Sequence, residues 1–154
     1  MELNENPGAL KRFRRTVWKF QQTFETQLRN LPEFVSTILA ACESLRSARV
    51  TLELVVFEPT TLIALLERYS LSPQYEPGVS VTAAGKEEIE ALLCPVLADW
   101  IDFIFVPDPN SFSIYADHDE FATFYAHKRS NLNRITESLI GNSFRPVADY
   151  KREL

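Results

Sequence analysis

The chain has 154 residues, 45% of them apolar, with 11 Phe, 5 Tyr and 2 Trp, enough to close one hydrophobic core without a metal or disulfide staple. Four Gly and two Cys exclude a glycine-rich loop fold and a disulfide framework, and no apolar run approaches the ~20 residues that cross a bilayer. The net charge of −5 hides a sorted pattern: residues 1–49 carry 8 Lys/Arg against 5 Asp/Glu, residues 50–125 carry 2 against 13, and residues 126–154 carry 6 against 3.

In chain order, residues 1–7 are polar and read as frayed; the opening MELNENPGAL, then KRFRR, has no apolar core of a secretory signal, so the expected location is cytoplasmic. From Pro7 onward, Leu10, Phe13, Val17, Phe20, Phe24 and Leu28 recur at steps of three and four, the stripe of an amphipathic helix. Asn30 and Pro32 open a second helix with Val35, Ile38, Leu39, Cys42 and Leu45 on its apolar face, so the first 45 residues predict an N-terminal helix pair. Arg49 to Phe57 alternates and is rich in β-branched residues, a strand with one face in the core.

Pro59 opens a helix to about Ser70. LSPQYEPG (71–78) is a loop, and Val79 to Val81 a short extended piece. Thr82 caps a helix to about Trp100 that bends at Pro95, with Glu87, Glu88 and Glu90 favoured by the helix dipole near its start. Asp102 to Val106, Ser111 to Ala116 and the aromatic segment after DHDE predict a three-stranded meander with PDPN as its first turn. Ser130 to Ile140 predicts a helix ended by Gly141, and Phe144 to Tyr150 a last strand. The sum is a single α+β domain: an antiparallel or mixed sheet of about four to five strands with helices packed on it.

One local cluster carries chemistry. Asp117, His118, Asp119 and Glu120 are consecutive, with His127 seven residues beyond the first His. Carboxylate and imidazole are the ligands of zinc and first-row metals, and imidazole is a natural general base. Asp117, His118, Asp119 and His127 are therefore the metal candidates, although no HExxH spacing supports them. With Tyr115 and Tyr125 as exposed neighbours, the same residues make a binding epitope of acids beside aromatics. Trp100, at a helix-to-strand junction, reads as core packing. Cys42 and Cys94 lie among apolar residues at helical spacing and read as inert, reduced thiols.

No phosphate-binding glycine loop and no GxSxG elbow occurs, and no cofactor is expected. An acidic chain repels phosphate, so the cluster Lys11, Arg12, Arg14, Arg15 and Lys19 is not expected to serve nucleic acid; neither is a membrane an expected partner. The expected function is a small non-enzymatic binding protein of the immunity or inhibitor type, offering an acidic surface to a basic protein partner. That reading requires the central carboxylates to gather on one face and stay free of the flanking Arg and Lys. The alternatives are a metal-dependent hydrolase using the Asp-His-Asp-Glu cluster, and a homo-oligomer built on the N-terminal helices.

Overall fold

A computed structural model describes residues 1–154. Seven strands form one sheet: β1 (Glu2–Glu5), β2 (Phe20–Glu25), β3 (Ser47–Val55), β4 (Val79–Ala84), β5 (Ile101–Asp108), β6 (Ser113–Ala116) and β7 (Phe121–Ala126). Their order across the sheet is β1-β4-β3-β5-β6-β7-β2, and every neighbouring pair is antiparallel. Five helices complete the fold: α1 (Gly8–Arg15), α2 (Leu31–Ala40), α3 (Thr60–Arg68), α4 (Gly85–Ala98) and α5 (Arg129–Gly141). The α+β class and the antiparallel meander β5–β6–β7 match the sequence reading, but the sheet has seven strands rather than four or five. No helix is long and apolar enough to cross a membrane.

The two faces of the sheet differ because side chains alternate along every strand. One face presents Phe24, Val50, Leu52, Val81, Phe103, Phe105, Ile114 and Phe124, all at or near zero exposure, and α2, α4 and α5 pack on this side, with α3 lying against α4. The other face is polar. Register lines up Asn4, Ser80, Thr51, Ile104, Tyr115, Thr123 and Thr23 in one row across all seven strands. Buried hydroxyls there bond in pairs, Thr51 with Ser80 at 2.7 Å and Thr23 with Thr123 at 2.8 Å, so neither pair is left unsatisfied away from water. Of the helices only α1 covers this face, where Phe13 and Ala9 bury against Ile104, Tyr115 and Tyr125, and Arg152 from the C-terminal segment lies over Tyr115.

The predicted N-terminal helix pair does not form. The apolar stripe from Leu10 to Leu28 is split into strand, helix and strand. Phe20 and Phe24 are four apart, a spacing that keeps residues on one side of a strand as well as of a helix. Thr16 already has extended dihedrals, and the β-branched and aromatic run Thr16-Val17-Trp18 stops α1. The segment 1–7, expected to fray, supplies β1, whose residues pair with β4. Thus β1 and β2 occupy opposite edges of the sheet, and α1 joins them across its polar face.

Four smaller differences follow from turn chemistry. Strand β4 extends to Ala84, and α4 begins at Gly85, whose φ of +77° suits glycine. Thr82 is therefore a strand residue, and Glu88 reaches back to accept the Ala84 N–H at 2.9 Å. Helix α4 continues through Pro95 to Ala98. The predicted strand 144–150 reduces to a single bridge between Pro146 and Phe24, since proline has no N–H for a ladder. The segment still pads the edge of β2: Glu25 N–H donates to the Arg145 carbonyl, and Val147 N–H to that of Thr23.

Candidate functional site

The Asp-His-Asp-Glu cluster forms the tight turn between β6 and β7. Asp117 Oδ1 accepts the backbone N–H groups of Asp119 (3.0 Å) and Phe121 (3.1 Å), a local bond that favours this turn over an extended strand. Glu120 sits in the left-handed region at φ +66°, and its carbonyl accepts the Thr26 N–H at 2.7 Å. Asp119 and Glu120 are exposed.

His118 turns back onto β5. Asp102, almost fully buried, accepts the His118 backbone N–H and pairs with ring Nδ1, both at 2.7 Å through Oδ1. The hydrogen bond to Asp102 raises the imidazole above its ordinary pKa. With Nδ1 engaged, Nε2 is left facing outward, 3.9 Å from Asp119 Oδ1. An imidazole oriented by a carboxylate can shuttle protons, but no hydroxyl or thiol hydrogen-bonds to Nε2.

Asp117 is bound instead to Arg152, whose guanidinium also donates to Thr123 Oγ1 at 3.2 Å and lies 4.5 Å over the Tyr115 ring. Arg152 is held in place by Gln21, which accepts its backbone N–H at 2.9 Å and donates to its carbonyl.

The sequence candidates therefore divide. Asp117, His118, Asp119 and Glu120 share one turn, with Tyr115 beneath it. His127 lies beyond the other end of β7, about 20 Å away along the strand, stacked on Trp18 at 4.8 Å. No three His, Cys, Asp or Glu side chains stand together as a metal-ligand set. The two tyrosines are buried rather than exposed, because α1 lies over them: Phe13 meets Tyr125 edge-on at 5.5 Å. The Tyr125 hydroxyl is buried without a partner, and burial pushes its pKa up. Burial likewise pushes both thiols up to about 11, which fits inert cysteines.

The feature that sequence reasoning missed adjoins this dyad. A bulge in β3 shifts register between Leu52 and Leu54, so that Leu52 faces Phe103 and Leu54 faces Asp102. Beyond it the chain exposes Leu54 (44%), Val56 (46%), Phe57 (55%) and Trp100 (39%). Phe57 and Trp100 meet edge-to-face at 5.5 Å. Trp100 is not core packing. It follows the last turn of α4 with φ +53°, a left-handed position that glycine fills at least cost, and its N–H donates to the Leu97 carbonyl at 3.2 Å. A signal was available: VVFEP and DWID place apolar residues where the alternation of a one-sided strand calls for polar ones.

The central acids do not form one free surface. Glu53 is bound by Arg14, Asp108 by Arg46, Asp117 by Arg152 and Asp102 by His118. Asp99 accepts the Leu62 N–H at 2.8 Å, and Glu88 accepts Ala84. Six of the 13 carboxylates are thus used locally, three of them by arginines from the basic flanking segments. The others are spread over the loop before α3, α3 itself, the loop before β4, α4 and the β6–β7 turn. Compared with models of protein families, with curated proteins and with solved structures, the chain matches none.

Proposed function

We propose that this chain is a non-enzymatic binding protein, of the inhibitor or immunity kind, that docks a basic protein partner at the corner where β3 meets β5. The observation that carries the reading is the exposed Phe57–Trp100 pair, with Trp100 held at a backbone position where a bulky side chain costs about 1–2 kcal/mol. Exposed aromatics flanked by Leu54 and Val56 have the make-up of an interface anchor, where Trp is enriched. The acids of the middle segment do not gather into one surface, so the charge that matters is local: Glu58 follows Phe57 directly, and Asp119 stands exposed beyond His118. Carboxylates near the apolar pair favour a partner that carries Lys or Arg around its own apolar contact. Acidic rims of this kind raise association rates with cationic partners.

A displayed random-peptide library selected on the wild-type protein, with counter-selection on a Phe57→Ala/Trp100→Ala variant, tests this. Enriched peptides are expected to pair Lys or Arg with an apolar side chain. They should lose roughly tenfold or more in affinity on the double variant and weaken with added salt. Peptides that bind the variant equally, or that carry net negative charge, would sink the reading. So would a self-dimer in sedimentation that the double variant abolishes, since the corner would then serve a second copy of the chain.

A further inference from the structure

The polar face of the sheet has a second feature, at the end opposite the Asp-His-Asp-Glu turn. Where α1 leaves part of the face uncovered, a cavity of about 280 Å³ opens between the helix and strands β3 and β5. Arg12 and Arg49 line it together with Trp18, His127, Asn110 and Ser113, and no carboxylate does. Both guanidiniums are solvent-exposed at the rim of the cavity, and in a chain of net charge −5 two cations with no acid beside them make a local inversion of sign.

The donors in the cavity are largely unspent. Arg49 forms no ion pair or side-chain hydrogen bond, and its neighbours across the sheet, Thr82 and Val106, supply no acceptor charge. Arg12 places one nitrogen on Asn6 Oδ1 at 3.0 Å and keeps its other N–H groups. Ser113 Oγ bonds to Asn110 Oδ1 at 3.3 Å, which leaves the Asn110 amide N–H₂ without a partner. One wall is flat and fixed. Trp18 stacks on His127 at 4.8 Å and 20°, packs on Phe13 at 5.2 Å, and donates its indole N–H to the Phe13 carbonyl at 3.3 Å.

Paired guanidiniums are suited to an oxyanion, since their forked donors match carboxylate and phosphate geometry. A pinned indole–imidazole wall is suited to a planar ring. The volume lies at the small end of ligand pockets, enough for one ring and one charged group. We propose that this cavity binds a small aromatic anion, a single ring bearing a carboxylate or a phosphate, with Arg12 and Arg49 on the oxyanion and Trp18 against the ring.

The fluorescence of Trp18 reads the site directly. With Trp100→Phe, Trp18 is the only tryptophan left, and this variant can be titrated with benzoate, phenyl phosphate, benzyl alcohol and inorganic phosphate. Saturable change is expected with benzoate or phenyl phosphate, and which of the two is tighter identifies the oxyanion. Benzyl alcohol and inorganic phosphate should each bind roughly tenfold more weakly or worse, because each lacks one half of the recognition. Arg49→Gln and, separately, Arg12→Gln should weaken the aromatic anion by a similar factor while circular dichroism stays unchanged. The proposal fails if neither aromatic anion saturates, or if benzyl alcohol binds as well as benzoate. It fails too if both Arg variants that keep the fold bind undiminished, or if a single-stranded oligonucleotide binds a hundredfold more tightly than phenyl phosphate, which would make the cavity part of a nucleic-acid surface. None of these results depends on the β3–β5 corner.

Discussion

His118 is held on Asp102 by its own backbone N–H and by Nδ1, so the contact is built into the turn rather than made by a wandering side chain. Its raised pKa has a definite sign for stability. The protonated ring gains from Asp102 in the folded state, so this contribution is complete below the unfolded value of about 6.5 and fades as pH rises through the folded midpoint. A nuclear magnetic resonance titration of the ring protons should place the His118 midpoint above that of a model imidazole. His118→Gln should flatten the corresponding loss of stability as pH rises above about 6.5 in urea unfolding. A normal midpoint would mean that Asp102 is not the ring's partner in solution. The sequence identified the turn and its chemistry, because Asp-rich runs between alternating segments are turn formers whatever surrounds them. Asp102 stayed hidden as the partner of His118, since 16 residues separate them and only strand register brings them together.

At the scale of elements, the departures from expectation share one cause: a spacing of four residues is common to both periods. Phe20 and Phe24 satisfy a helix and a strand alike, and only the neighbouring strand β7 decides between them. The alternating segment of β3 was legible, as was α5, whose Leu132, Ile135 and Leu139 are buried, whereas the residues of β7 fit both periods and only their aromatic and Thr content pointed to a strand. Trp100 was assigned to the core because large aromatics usually belong there, whereas its backbone position puts it outside. That position makes a sharp prediction. Trp100→Gly relieves the left-handed strain, and calorimetry should find stability unchanged or higher by about 1 kcal/mol, although a large side chain has been deleted. A loss of 2 kcal/mol or more, the usual range for emptying a core site, would show that the indole packs as structure and is not kept for contact.

Over the whole molecule, the charge sorting visible along the chain is settled in part inside the fold. Arginines from the two ends, Arg14 and Arg152, meet acids of the middle, Glu53 and Asp117, on the polar face of the sheet. Composition showed opposite charges in separate segments, and the topology that brings the segments together could not be read from it. Arg152 ties the last residues to three strands: to Gln21 of β2, Thr123 of β7 and Tyr115 of β6. Arg152→Ala should therefore cost about 3–5 kcal/mol in chemical unfolding, since a nearly buried Asp117 loses its counter-charge. Adding Asp117→Asn should recover part of that loss, and no recovery would argue that stacking on Tyr115 is the larger contribution.

The first 25 residues supply both outer strands, and neither has a neighbour nearby in sequence: β1 waits for residues 79–84 and β2 for residues 121–126. At a ribosomal pace of about 5–20 residues per second, the segment that closes both margins of the sheet spends several seconds in the emerging polypeptide with nothing to hold it. Of the inner strands only β5, β6 and β7 follow one another as hairpins, while β3, β4 and β5 are joined through α3 and α4, and the two rims close only when this early-made band swings across. Interruption at that stage would expose both rims at once, and head-to-head stacking of half-finished molecules is the failure this architecture invites.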